Sequence, residues 1–281
     1  MQVGIVTRSF PEMTNEQAAE FMARTGFTVT ELCLSQTDSK YWAYNGMSDL
    51  GDLTEARVSE IADIYRRHGI NVHALGVFTN LIEEDDARRA EILAYFERHM
   101  QYARAAGIPI VSTECGFDPA SRGVRADVYE ARFNRLLDSL RYLCDKAEQY
   151  DLTVALEPCV IDIVPSAKRM ADTISQVGSP RLKVLLDPAN LIANSSERDM
   201  FTYLGPHVAY FHGKDRKVND AKGRNIGEGE IDWPLFFSLL HKTHEDVPFI
   251  IEYPRADNCA EILRRVREYD RQAVALAGGN P

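Results

Sequence analysis

Val184-Leu185-Leu186-Asp187 is a short, wholly apolar run that stops on a carboxylate. Such a run reads as a strand buried on both faces, the form strands take in a parallel sheet covered by helices. The figure recurs on either side of it. Val154-Ala155-Leu156-Glu157 comes before; Val208-Ala209-Tyr210-Phe211-His212 and Phe249-Ile250-Ile251-Glu252 come after. In each, a potential metal ligand stands where the strand gives out. Neighbouring strands of one sheet lie about 4.8 Å apart, so four successive strand ends can converge on one point.

Outward from these runs, strand-like and helix-like segments alternate along the whole chain. Further strands are expected at Val3 to Phe10, Val29 to Ser35, Asn71 to Phe78 and Pro109 to Gly116. Between them, apolar residues recur at helical spacing. Ile92, Leu93, Phe96, Met100 and Ala103 mark one face of a helix over Asp86 to Ala106, and Phe133, Leu136, Leu137, Leu140 and Leu143 one over Asp127 to Tyr150. Gly26, Gly69 and Gly107 follow helical segments where a left-handed cap is expected. Eight strands alternating with eight helices predict an α/β fold, a single (β/α)8 TIM barrel forming one domain over residues 1–281. A doubly wound open sheet is the alternative, but no glycine-rich phosphate fingerprint follows the first strand.

Composition narrows the function. The chain has 281 residues and a formal net charge of −10, which argues against a nucleic-acid partner because phosphate binding needs clustered basic surface. No apolar run is long enough to cross a bilayer, and the start shows no signal-peptide pattern. Five dispersed cysteines without a CxxC pair suit a reducing compartment. A cytoplasmic protein is expected, with no membrane partner.

Three connections after strands exceed what a barrel needs: Gln36 to Asp52 with Tyr41, Trp42 and Tyr44; Phe117 to Arg125 with Arg122 and Arg125; and the polar, glycine-rich Arg216 to Asp232. All follow C-terminal strand ends, the face on which barrel enzymes build active sites. Arg8, His73 and Glu114 fall near other strand ends and are candidate substrate contacts. Phe10 and Phe78 are candidates for an apolar wall, and Cys159 for pocket lining. Lys214 could hold a substrate hydroxyl, carboxylate or phosphate; an ion pair with Asp215 is the plainer reading.

Glu157, Asp187, His212 and Glu252 together offer three hard oxygen donors and one imidazole, a set suited to a single divalent cation. Mn²⁺ is the expected ion, with Mg²⁺, Co²⁺ or Zn²⁺ as alternatives. Two carboxylates flanking a metal-held substrate can remove and return a proton beside a carbonyl through a stabilised enediolate. Glu157 and Glu252 are the natural acid/base pair, leaving Asp187 and His212 as structural ligands. Return of the proton to a neighbouring carbon isomerises; return to the opposite face epimerises. Expulsion of a β-hydroxyl from the same intermediate would make a dehydratase of a keto-cyclitol or related polyol, the alternative function.

These residues resemble the xylose isomerase-like barrel superfamily, in particular its sugar isomerase/epimerase group with ketose 3-epimerases and inosose isomerases. The matching pieces are Leu156-Glu157-Pro158, Leu186-Asp187-Pro188-Ala189-Asn190-Leu191, His212-Gly213-Lys214-Asp215, Gly227-Glu228-Gly229-Glu230-Ile231-Asp232-Trp233 and Ile251-Glu252. The resemblance implies a small sugar or cyclitol substrate, free or phosphorylated, and a homo-oligomer. It carries the metal ligands to Glu157, Asp187, His212 and Glu252, and the acid/base roles to Glu157 and Glu252. In the ketose epimerases a substrate-contacting histidine stands three residues after the strand-six aspartate; here that place is Asn190, which hydrogen-bonds but does not shuttle protons. The group's substrate-binding arginine has approximate counterparts in Arg216 and Lys217.

Overall fold

The computed structural model describes residues 1–121 and 123–278, and Arg122 lies outside them. Eight parallel strands close into a barrel in sequential order. They are β1 (Val3–Ile5), β2 (Val29–Leu32), β3 (Asn71–Gly76), β4 (Ile110–Glu114), β5 (Thr153–Glu157), β6 (Leu182–Leu186), β7 (Val208–Gly213) and β8 (Phe249–Ile251). Closure comes from β1 pairing with β8 through Val3↔Phe249, Gly4↔Ile250 and Ile5↔Ile251. Eight helices surround them: α1 (Asn15–Thr25), α2 (Glu55–Arg67), α3 (Asp86–Ala105), α4 (Tyr129–Tyr150), α5 (Ala167–Val177), α6 (Glu197–Leu204), α7 (Trp233–Thr243) and α8 (Cys259–Gly278). The expected (β/α)8 barrel is the observed fold. Among the described residues no helix is long and apolar enough to cross a membrane.

The core has two parts because each strand is apolar on both faces. Inside the barrel, Val6, Val29, Ala74, Ile110, Ala155, Leu185, Tyr210 and Ile250 pack as one small cluster, one side chain from each strand or its end. A larger cluster fills the layer between barrel and helices. There α4 buries Phe133, Leu136, Leu137, Leu140 and Leu143, and α3 buries Ile92, Phe96, Met100 and Ala103 with Leu93 partly covered. Helix starts are fixed by side-chain caps: Thr14 and Gln17 form a capping box on α1, and Ser196 and Asp199 form one on α6. Gly26, Gly69 and Gly107 adopt φ of 99°, 75° and 63°, the left-handed turns expected of them.

β6 and β8 end with their apolar residues, one position short of the closing carboxylate, and this shapes the site. Pro188 has no N–H to continue a ladder, so β6 stops at Leu186 and Asp187 turns to accept the Ala189 N–H at 2.8 Å. β8 stops at Ile251, although the Glu252 N–H still donates to the Gly213 carbonyl at 2.9 Å. Tyr253 then takes φ 74°, a left-handed backbone unusual outside glycine.

One buried helix residue sets an acid sensitivity. His99 of α3 is 3% exposed and hydrogen-bonds the Tyr95 carbonyl through Nδ1 at 2.9 Å. Burial pushes its pKa from 6.5 down to about 4. The native state therefore binds fewer protons than the unfolded chain at this group. Its contribution is complete above the unfolded pKa and is lost as pH falls through the folded one. Urea unfolding at about pH 7 and about pH 4.5 is expected to show His99→Gln losing about 2–3 kcal/mol less than the parent over that interval.

Candidate metal centre and substrate pocket

At the C-terminal mouth of the barrel, Glu157, Asp187, His212 and Glu252 each present a ligand atom, all within 4.8 Å of one another. All four are buried, Glu252 least so at 4% exposed. Two of their atoms have no hydrogen-bond partner, Glu157 Oε2 and His212 Nδ1. Buried polar atoms are seldom left so. Two orphaned atoms within a buried set of three carboxylates and one imidazole fit a divalent cation, which these four residues would hold.

The His212 ring is held from behind by a residue the sequence reading missed. Its Nε2 meets Glu31 Oε2 at 3.1 Å, leaving Nδ1 toward the cluster, 3.7 Å from Glu157 and 3.9 Å from Glu252. Glu31 lies on β2, fully buried, and also accepts hydrogen bonds from Ser112 at 3.1 Å and from Tyr210. A carboxylate on the outer nitrogen of a ligating imidazole fixes its tautomer and orientation. The signal was present: Glu31 interrupts the apolar run Val29-Thr30-Glu31-Leu32.

Lys214 reaches into the cluster rather than pairing with Asp215. Its Nζ lies 2.7 Å from Asp187 Oδ2, 2.5 Å from Glu252 Oε2 and 3.3 Å from Glu157 Oε1. Arg8 pairs with the other Glu252 oxygen. Asn190 donates from Nδ2 to Glu157 Oε1 at 2.8 Å. The charges respond accordingly. Burial opposes ionisation of Glu157, but Lys214, His212 and Arg8 outweigh it and hold the carboxyl at about 2. Burial raises Asp187 even against Lys214, with Glu157 adding to the rise. Burial also disfavours the charged His212 ring, yet Glu31 and Glu157 draw it up to about 9.

Above the cluster opens a pocket of about 710 Å³, lined by Arg8, Glu114, Asn190, Lys214, Arg216 and Glu252 among others. All three long connections contribute: Trp42 and Tyr44 from the first, Gly123 from the second, Ala221 from the third. Cys159 lines it too, although only 4% exposed. Glu114 stands beside Glu157 in register and accepts the Tyr44 hydroxyl at 2.7 Å; burial and then the Glu157 charge raise its pKa. Lys217 is exposed and outside the pocket.

Three sequence expectations are displaced. His73 does not line the pocket; its ring lies edge-on to Tyr210, with centroids 5.5 Å apart. The β2–β3 register jumps from Thr30↔Val72 to Glu31↔Ala74, so the irregularity at His73 breaks the alternation that would have aimed it. Phe10 is buried in the core and Phe78 backs Trp42 at 6.3 Å, so Trp42, Tyr44 and Tyr253 form the aromatic wall instead.

Comparison with known proteins agrees with this architecture. L-ribulose-5-phosphate 3-epimerase UlaE of Salmonella paratyphi A is 25% identical over 260 residues, covering 90% of this chain and 87% of its own. Among solved structures, the IOLI protein with a bound zinc atom superposes with a TM-score of 0.75 at 19% identity, over 99% of each chain. A D-psicose 3-epimerase crystallised with D-fructose superposes with a TM-score of 0.70 at 18% identity, over 99% of this chain and 98% of its own. The sequence profile of the family described as xylose isomerase-like TIM barrel matches residues 19–272. The chain therefore belongs to the xylose isomerase-like TIM barrel family.

Proposed function

We propose that this protein is a divalent-cation-dependent epimerase or isomerase of a small ketose or cyclitol, with Glu157 and Glu252 as the acid/base pair. The observation that carries the reading is the buried quartet itself: two glutamates, one closing β5 and one just past β8, whose ligand atoms lie within 4.8 Å of those of Asp187 and His212, with Glu252 lining a pocket large enough for a sugar. The similar Salmonella protein is a sugar-phosphate 3-epimerase, a likeness that supports this reaction class. Mn²⁺ is our choice of ion, and the cytoplasm our choice of compartment, supported by five cysteines that are all buried and unpaired.

Bound there, a divalent cation supplies Lewis acidity, polarising the substrate carbonyl and compensating negative charge on its oxygen. The chain does the rest. One glutamate removes a proton from the carbon beside the carbonyl, and the other returns one to the opposite face or to the neighbouring carbon. Arg8 and Lys214 grip the two Glu252 oxygens and Asn190 grips Glu157, fixing both carboxylates at defined positions. Asp187 and His212 stay fixed as ligands.

Purified protein is expected to contain about one divalent ion per chain and to catalyse deuterium uptake from D₂O into at least one member of a ketose and inosose panel. Metal-loaded protein that labels none of them would sink the proposal. Glu114 favours a second reading. Its raised carboxyl on the same pocket could protonate a departing hydroxyl, making the enzyme a dehydratase; a product lighter by one water identifies that outcome.

A further inference from the structure

Among the described residues three cations line the pocket; two are committed and one is not. Lys214 is shared by Asp187, Glu252 and Glu157, and Arg8 pairs with Glu252. Arg216 is only 4% exposed, yet among the described residues it forms no ion pair. Its side chain makes one long hydrogen bond, 3.4 Å from Nη2 to Asn190 Oδ1, while Nε and Nη1 are buried without an acceptor. Burying a guanidinium without a counterion is strongly unfavourable. A charge kept that way beside an open pocket is one whose partner arrives from outside.

The placement of Arg216 is enforced by the stretch from Gly227 to Trp233. The Asp215 carboxylate accepts the backbone N–H of Arg216 at 2.9 Å, of Gly227 at 2.8 Å and of Ile231 at 3.3 Å, and the Trp233 indole N–H at 2.9 Å. The Glu230 N–H donates to the Arg216 carbonyl at 3.0 Å. Gly229 packs so closely here that a Cβ would fall 2.1 Å from Asp215 Oδ1 and 2.5 Å from the Arg216 carbonyl oxygen. The segment holds the Arg216 backbone at both its N–H and its carbonyl, and so fixes the point from which the side chain starts.

We propose that Arg216 is an anion subsite, so that the substrate carries a carboxylate or a phosphate at the end remote from its reacting carbons. This rests on the reading of the pocket as a ketose site. Asn190 joins the subsite to the chemistry: its Nδ2 donates to Glu157 while its Oδ1 accepts from Arg216. The anion thus sits within the span of a pentose or hexose chain from the acid/base pair. Guanidinium is suited to either anion, since both present paired oxygens to its planar set of N–H donors.

The test is calorimetric binding to Mn²⁺-loaded protein of three unreactive ligands: ribitol 5-phosphate, ribonate and ribitol. One of the two anions is expected to bind roughly 10- to 100-fold more tightly than ribitol, and which one tells phosphate from carboxylate. Arg216→Gln should erase that preference and Arg216→Lys should keep part of it, with circular dichroism confirming the fold of each. Equal binding of all three ligands by the parent protein, or a preference that survives Arg216→Gln, overturns the proposal. The first of these decides the matter even if the glutamine variant does not fold. Anion preference without deuterium uptake from any ketose would leave the subsite standing and retire the epimerase reading.

Discussion

Glu157→Gln and Glu252→Gln are each expected to lower deuterium uptake into the substrate by about 10²–10⁴-fold. The change is nearly isosteric, so it removes the proton acceptor and leaves the shape of the site. Both carboxylates are buried among cations: Lys214 contacts each, Arg8 contacts Glu252, and His212 stands beside both. Metal content must be measured alongside, because each glutamate is also a ligand atom of the quartet. A variant that keeps its metal and loses exchange separates the proton-transfer role from the ligand role. A variant that keeps its metal and exchanges at the parental rate removes that residue from the acid/base pair.

Glu31 is the second residue at which a large effect is expected. Glu31→Gln should weaken divalent-cation affinity by about 10–100-fold, as loss of a carboxylate behind a ligating imidazole does elsewhere. Glu31→Leu should go further. It strands His212, Tyr210 and Ser112, all of which use the Glu31 carboxylate in a fully buried setting. Breaking a buried charged network by removing one partner costs about 3–5 kcal/mol, which urea unfolding of the metal-free protein would register. Chelator competition reads the affinity directly. Unchanged affinity in Glu31→Gln would mean that β7 alone orients the His212 ring.

Much of this was legible because a parallel barrel writes its active face into the sequence as a rule of position. Each apolar run ends at the barrel mouth, so a polar residue closing the run is placed there without knowledge of any contact; the gathering of Glu157, Asp187, His212 and Glu252 was readable for that reason. Lys214 and Asp215 were not separable in that way. They are adjacent in sequence, but backbone alternation sends one into the mouth and the other back onto the loop that holds Arg216. His73 was misplaced because alternation fails where the β2–β3 register shifts. Glu31 acts through a strand far from β7 in sequence, and only closure of the barrel brings them together.

The floor of the site belongs to strand ends, whereas its sides are drawn from three separate excursions of the chain, near Trp42, Gly123 and Ala221. Those excursions can drift by mutation while the carboxylates at the strand ends keep their scaffold. On the proposed reading, a library that varies only the excursions should therefore yield descendants with altered sugar preference, each inheriting the buried quartet intact.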